Sequence, residues 1–472
     1  MLFSRSAQKF ILLLGDAFTF YAALIGTLWV RYLEFPTTNT WEVHNIPFLF
    51  VHILWIVLLY IAGLYDIEHF ASRAVLRQKI FRTLATAGLL AILLFYFIPS
   101  FVITPKTNLI IDVSLVLLLL WGWRTLFMLI MTRSSKINIL FFGLSEEIIT
   151  FAEYLKERPH LGYRPALLIA LDNKNEQLPS SSVPIIVLEN DLEALIRKHQ
   201  IQLIVLSGAV RGDKNHIKTL YKMLPLGATV VNFTKFYEDI TGKVPVSLTS
   251  EQWFLENFSE LEKRGFEVLK RGLDIFFALL FGIPALLITP FIALIIIFST
   301  PSDLLLYKIR RSRPGDGLVF FRQKRVGKNG RIFYFVKFRS QRLGAENITE
   351  AKEIINDPRQ YFFGQLMRKT YLDELPQIWN VLKGEMSFVG PRPERPEFVA
   401  ELDKKIPFYE MRLVVRPGIT GWAQINMKDD ASVEDAPEKL QHDLFYIKRR
   451  SLSLELSILL RTLAVIMSRS GK

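Results

Sequence analysis

"LDIFFALLFGIPALLITPFIALIIIFS", residues 273–299, is longer than the roughly 20 apolar residues that cross a hydrocarbon core, yet it contains Pro284 and Pro290. Its flanks decide how it is read. Lys263, Arg264, Lys270 and Arg271 precede it, and residues 308–342 hold twelve Lys and Arg against one acid. Basic flanks stay cytoplasmic, so both ends are expected on that side, with the run entering the leaflet, breaking at a proline and returning. The competing reading is a kinked helix that crosses fully. A proline frees a carbonyl that needs a polar partner in lipid. Thr289 offers a hydroxyl, which places the expected break at Pro290, with Pro284 as the alternative. Asp274 lies one turn beyond Arg271, and the two are expected to pair at headgroup level.

Upstream, four apolar stretches suit spanning helices: Phe10 to Val30, Ile46 to Leu64, Ile80 to Ile98 and Leu109 to Met131. The first is too long for a signal peptide and is read as retained. Arg5, Lys9, Arg73, Arg77, Lys79, Arg82, Arg133 and Lys136 flank one side, against Arg31 and Lys106 on the other. The N-terminus and everything after residue 136 are therefore expected in the cytoplasm. Asp16 and Asp112 fall inside spans, where an acid is either functional or paired within the bundle. Half of the 472 residues are apolar and the formal net charge is +13, which suits an anionic partner. No cysteine occurs, excluding disulfides, thiolate zinc sites and a cysteine nucleophile.

From Ile137, short apolar runs such as "INILFFG" and "IQLIVLS" alternate with polar helical ones, the pattern of a parallel α/β domain. Gly143 ends the first strand, but Ser145 and Ile148 stand where a dinucleotide fingerprint has its other glycines. Glu146 and Glu147 would repel a pyrophosphate. A Rossmann-like domain without a dinucleotide is expected, and a nicotinamide-dependent sugar-nucleotide enzyme is the disfavoured rival.

Beyond the long run, Arg322, Lys324, Arg325, Lys337, Arg339, Arg368, Arg392 and Arg416 lie on several segments, many beside Gly or Pro. Arginines on rigid turns suit phosphates, and no nucleic-acid-binding motif accompanies them, so no nucleic acid partner is expected. Within "RKTYLDELPQIWN", residues 368–380, Asp373 and Glu374 are adjacent. On a helix they would point about 100° apart, so they suit two parts of one ligand rather than one shared proton. The structural alternative is a capping box formed by Thr370 and Asp373 before a helix.

"KRGLD", "FFRQKRVG", "KFRS", "LDELPQIWNVLKGEMSFVGPRPE" and "RPGITGWAQI", in this order after a proline-broken apolar run, resemble the bacterial sugar transferases, the monotopic phosphoglycosyl transferases. The likeness covers about residues 266–472. With the preceding parts, the chain resembles the large polyprenyl-phosphate hexose-1-phosphate transferases that initiate exopolysaccharide, capsule or O-antigen assembly. The resemblance implies that Asp373 attacks the sugar-bearing phosphate of a UDP-sugar, releases UMP and carries the sugar phosphate until polyprenyl phosphate takes it. It implies that Glu374 binds Mg²⁺ and that Arg368 and Arg392 contact the donor phosphates, Pro391 and Pro393 fixing the turn of Arg392. Lys337, Arg339 and Arg416 are further candidates. Gln341 departs from the family, which usually has methionine after "KFRS", and this puts a packing contact in doubt.

The expected architecture is therefore a four-span membrane α-helical bundle (1–136), a degenerate Rossmann-like α/β domain (137–255) and an α/β catalytic domain with a re-entrant membrane helix (256–472). The bacterial inner membrane is its expected place, with the catalytic domain on the cytoplasmic face and the N-terminal half serving assembly, including a homodimer. The segment "SLSLELSILLRTLAVIM" is too short and charged for a span, and is expected on the membrane surface or on the catalytic domain.

Overall fold

A computed structural model describes residues 5–66, 73–98, 106–133, 136–171, 181–187, 192–208, 210, 214–258, 264–303, 317–343, 360–427 and 434–467. Lys263 and the basic residues between 308 and 313 lie outside them. By packing, the chain divides into two compact units, Met1–Phe236 and Tyr237–Lys472.

In the first unit the four apolar stretches form helices α1 (Arg5–Tyr32), α2 (Thr38–Ile61), α3 (Arg73–Phe97) and α4 (Lys106–Arg133), each long and apolar enough to span a bilayer. Leu12, Phe20, Leu24, Val51, Trp55, Val116 and Leu120 form their shared core. Both acids within these apolar helices, Asp16 and Asp112, are paired inside it. Asp16 takes Arg124 at 2.6 Å, whose other arm donates to the Leu64 carbonyl, while Asp112 takes His52 at 3.3 Å and Thr27 at 3.4 Å. Buried charges in lipid need such partners.

The same unit continues into β1 (Ile137–Phe142), α5 (Glu146–Lys156), β2 (Tyr163–Ala170), β3 (Ile185–Val187), α6 (Leu192–Lys198), β4 (Leu203–Leu206), α7 (Lys214–Met223) and β5 (Thr229–Asn232). The strands make a parallel sheet of order β3-β2-β1-β4-β5, as the alternating pattern predicts. Gly143 has φ +96°, and a Cβ there would lie 2.7 Å from that of Ser207. The first turn of α5 is capped from within by Ser145, which accepts from the Ile148 amide.

Helix α8 (Phe233–Thr241) carries the chain into the second unit, whose core already includes Val244, Val246, Trp253, Phe254 and Phe258 beside Leu440 and Leu444. Glu238 accepts Lys448 on both oxygens at 2.9 Å. Residues 237–255 thus pack with the C-terminal half. After α9 (Glu251–Phe258) comes α10 (Arg264–Ser299), then the antiparallel hairpin β6 (Phe320–Val326) and β7 (Ile332–Phe338). There follow α11 (Phe362–Lys369), α12 (Gln377–Lys383), β8 (Ser387–Val389), α13 (Pro396–Lys405), β9 (Gly418–Thr420), α14 (Trp422–Asn426), α15 (Ala436–Arg449) and α16 (Leu452–Met467).

Helix α10 corrects two expectations. It runs without interruption over 36 residues through both prolines, about 54 Å of helix, so no break separates two segments at Pro290. A proline removes one donor while keeping a helical φ, and the rest of the ladder persists. The Thr289 hydroxyl donates to the Ala285 carbonyl, one residue short of the carbonyl that Pro290 frees. Nor does Asp274 pair with Arg271. Arg271 caps α12 by donating to the Val381 and Leu382 carbonyls at 2.6 and 2.8 Å, and Asp274 accepts from the Ser387 hydroxyl and Phe388 amide. Unsatisfied carbonyls at a helix end and free amides at a strand start outcompete a neighbouring side chain.

The far end of α10 also rests on this unit: Ile292 and Ile296 pack with Phe338, Tyr361 and Met367. Its other face presents Ile283, Leu286, Phe291 and Phe298, all exposed. Helix α16 packs on β8, β9 and α14, and its Glu455 is buried against Lys270 and Tyr446, so the C-terminal segment lies on this second unit.

Candidate active site

Asp373 and Glu374 sit in a one-turn 3-10 helix, Leu372–Glu374, between α11 and α12. The chain enters it through Tyr371 at φ 55°, a left-handed conformation that a bulky residue adopts only when its surroundings enforce it. The structural alternative, a capping box, does not form here. Thr370 closes α11, its hydroxyl donating back to the Leu366 carbonyl, and α12 starts only at Gln377. Asn380 holds α12 against β7, donating to the Tyr334 carbonyl and accepting the Val336 amide. Helix α11 is seated as closely: a Cβ on Gly364 would stand 2.1 Å from the Ser340 carbonyl oxygen.

The two acids differ in state. Burial pushes the Asp373 carboxyl up to about 6, the Glu374 charge adds to the rise, and Lys337, Arg368 and Arg392 oppose it. Burial acts on Glu374 too, but the charge and hydrogen bonds of Arg392, helped by Lys337 and Gln377, hold it below the usual carboxylate range. Arg392 grips it with both nitrogens, at 2.7 and 3.5 Å. Burial pushes the Lys337 ammonium down, with Asp373 and Glu374 resisting. One poorly solvated carboxylate thus stands among cations beside a second that stays ionised.

Arg392 hangs from the loop of Pro391 and Pro393, and the fold clamps that loop from behind. The Pro391 carbonyl accepts the Gly418 amide at 2.9 Å, and the Pro393 carbonyl accepts Arg325 at 3.0 Å. Gly390 and Gly418 are in backbone contact, where a Cβ on Gly418 would lie 2.1 Å from the Gly390 nitrogen. Arg412 donates to the Arg392 carbonyl at 3.0 Å and pairs with Asp443 at 2.8 Å; Lys439 holds Glu394 at 2.7 Å.

The structure brings together Asp373, Glu374, Lys337, Arg368 and Arg392, but not every sequence candidate. Arg339 is buried and turned to Asp303, Thr300 and the Leu318 carbonyl, where it ties the end of α10 to β7. Arg416 donates to the Gly384 carbonyl and pairs with Glu267 at 3.5 Å. Gln341 makes an isolated bridge with Gln360. Sequence reading missed the Arg412, Lys439 and Asp443 cluster, since isolated charges in helical segments look like solvated faces until the fold buries them.

An apolar groove of about 910 Å³ opens beside the turn. Gly282, Ala285 and Leu286 of α10 form one wall, Leu375 and Trp379 the other, and Arg322 and Lys383 also line it.

Comparison with known proteins matches parts of this chain. The family model described as bacterial sugar transferase matches residues 266–469. An N-acetylgalactosaminephosphotransferase of Aeromonas hydrophila, named for UDP-N-acetylgalactosamine and undecaprenyl phosphate, is 37% identical over 51% of this chain and 53% of its own. A UDP-glucose:undecaprenyl-phosphate glucose-1-phosphate transferase of Xanthomonas campestris pv. campestris is 29% identical over 69% of this chain and 65% of its own. The enzyme of that name from Escherichia coli strain K12 is 36% identical over 41% and 39%. The chain thus spans about half the length of the first of these relatives and just under two thirds of the second. Residues 266–469, the segment that matches the bacterial sugar transferase family, hold the turn, its cations and the clamped arginine loop.

Proposed function

We propose that the protein transfers a hexose-1-phosphate from a UDP-sugar to undecaprenyl or another polyprenyl phosphate, the initiating step of a surface polysaccharide, at the cytoplasmic face of the bacterial inner membrane. The observation that carries this is the pair of unlike acids: Asp373, near neutrality and poorly solvated, beside Glu374, held ionised by Arg392. An Asp373 carboxylate oxygen attacks the sugar-bearing phosphorus, and the bond to UMP breaks. A polyprenyl phosphate oxygen then attacks the same phosphorus, the acyl phosphate bond breaks, and Asp373 is regenerated. Lys337, Arg368 and Arg392 face the phosphates.

Mg²⁺ fits this donor set. Among the described residues no group of three or more His, Asp and Glu forms a cage, and Mg²⁺ commonly takes one or two carboxylates with the rest of its shell from phosphates and water. Glu374 would hold it, exchanging Arg392 for the cation while Arg392 turns to the donor phosphate. Bound there, Mg²⁺ neutralises charge on the diphosphate.

The unlike surfaces of α10 support a monotopic placement. Both its ends pack on one α/β unit, and a bilayer cannot separate them while they do; the exposed apolar face enters one leaflet. The groove beside Leu375 then takes the first isoprene units of the acceptor. A panel of UDP-sugars with undecaprenyl phosphate, scored by UMP release, tests the reading; no release with any donor would end it. Gly282→Trp, filling the groove, should raise the KM for undecaprenyl phosphate at least about tenfold while leaving labelling of Asp373 by the donor intact. Equal loss of both half-reactions would remove the acceptor from the groove.

A further inference from the structure

A second cavity, of about 640 Å³, lies far in sequence from the family-matched segment, at the edge of the parallel sheet where β1 and β2 begin. Lys136, Lys156, Arg164, Lys198 and His199 line it, and among the described residues no acid does. Lys156 donates to the Ser182 carbonyl at 2.6 Å, and the nearby Glu153 is bonded to the Ser182 amide. None of Lys136, Arg164 and Lys198 is ion-paired with a described acid. Lys156 and Lys198 end α5 and α6, where a cation complements the helix dipole. That accounts for two charges only. Lys136 and Arg164 stand at strand starts, where no dipole calls for them.

Ligands of open parallel sheets ordinarily bind at the opposite edge, where the strands end. What distinguishes this edge is its tether. Helix α4 ends at Arg133 and β1 starts at Ile137, a separation of at most about 14 Å along the chain. Helix α4 also packs against the Pro159–Leu161 turn, whose Pro159 lines the cleft. The cleft therefore lies at the membrane surface on the side where the fourth span emerges.

We propose that this cleft is a binding site for the phosphate of an anionic phospholipid headgroup, which anchors the α/β domain to the leaflet. Four cations with no described acid among them suit a phosphate-bearing group, and the tether brings lipid phosphates to the cleft at the concentration of the bilayer itself. Proximity, rather than high intrinsic affinity, keeps it filled.

The test uses the full chain in a neutral detergent, titrated with phosphatidylglycerol, phosphatidylcholine or sodium pyrophosphate while thermal unfolding is followed. Phosphatidylglycerol should raise the Tm by several degrees and phosphatidylcholine should not. Arg164→Gln with Lys198→Gln should lose at least half of that shift, whereas Lys218→Gln with Lys222→Gln, removing two exposed charges of the same domain outside the cleft, should keep it. Native mass spectrometry should count fewer retained phosphatidylglycerol molecules on the first variant. An unchanged shift in the cleft variant, equal loss in both variants, or no shift in the wild type would overturn the proposal. A shift with pyrophosphate but not with phosphatidylglycerol would also overturn it, assigning the cleft to a soluble diphosphate.

Discussion

Asp373→Asn should lower turnover by about 10⁴-fold or more and abolish covalent labelling by the donor, because an amide neither attacks phosphorus well nor carries a phosphoryl group. The same change should make the protein more stable at pH 7.5. In the folded chain the Asp373 carboxyl rises from 3.8 to about 6, so the folded state holds this proton more tightly than the unfolded state. The resulting destabilisation is absent below about pH 3.8, grows across that window and is complete above 6. Two pKa units correspond to about 3 kcal/mol, an upper figure once local relaxation is allowed. Thermal unfolding of both proteins at pH 7.5 and at progressively lower pH checks this: the advantage of the asparagine variant should shrink below pH 6. Wild-type turnover should fall through the same range as the nucleophile takes up its proton. Retained turnover, or an asparagine variant no more stable at pH 7.5, would remove Asp373 from the role assigned here.

Arg412→Met should cost about 3–5 kcal/mol, the cost of leaving buried acids without their cation. Arg412 is buried, pairs with Asp443 at 2.8 Å, lies 3.8 Å from Glu394 and donates to the Arg392 carbonyl. The unfolding midpoint of the C-terminal unit should drop by roughly 10 °C. Surviving folded protein should show a lower kcat, since the Arg392 loop loses one of its clamps. Adding Asp443→Leu should recover part of the stability, because an apolar pair is often as stable as a buried ion pair. If the kcat of folded Arg412→Met equals that of the wild type, the clamp does not position Arg392.

Local signals were strong where one element carries its own explanation. The spans are continuous apolar runs, and the parallel domain announces itself by alternating runs whose strands are buried on both faces. Adjacent acids ahead of a proline, and cations on several segments, stood out without any knowledge of contacts, while the family resemblance singled out roles for Asp373, Glu374, Arg368 and Arg392. Their turn, however, is not the capped helix start that stood as the structural alternative. Thr370 and Asp373 have the right spacing for a capping box, but Tyr371 leaves the helical region and ends one helix before the next begins.

Spacing along the chain could determine which residue types stand together on a segment, and it did so for the acid pair, the arginine turns and the apolar helices. It could not determine which cation meets which acid, because ion pairs form across separations of more than a hundred residues. Arg124 with Asp16, Lys270 with Glu455 and Lys243 with Glu438 are all of this kind. Arg339 and Arg416 resemble Arg392 in sequence, yet packing commits them to Asp303 and Glu267 and leaves Arg392 at the acid pair. Burial then separates Asp373 from Glu374: adjacent carboxyls with the same intrinsic chemistry acquire opposite shifts because only tertiary structure sets how much water each loses and which cation it faces.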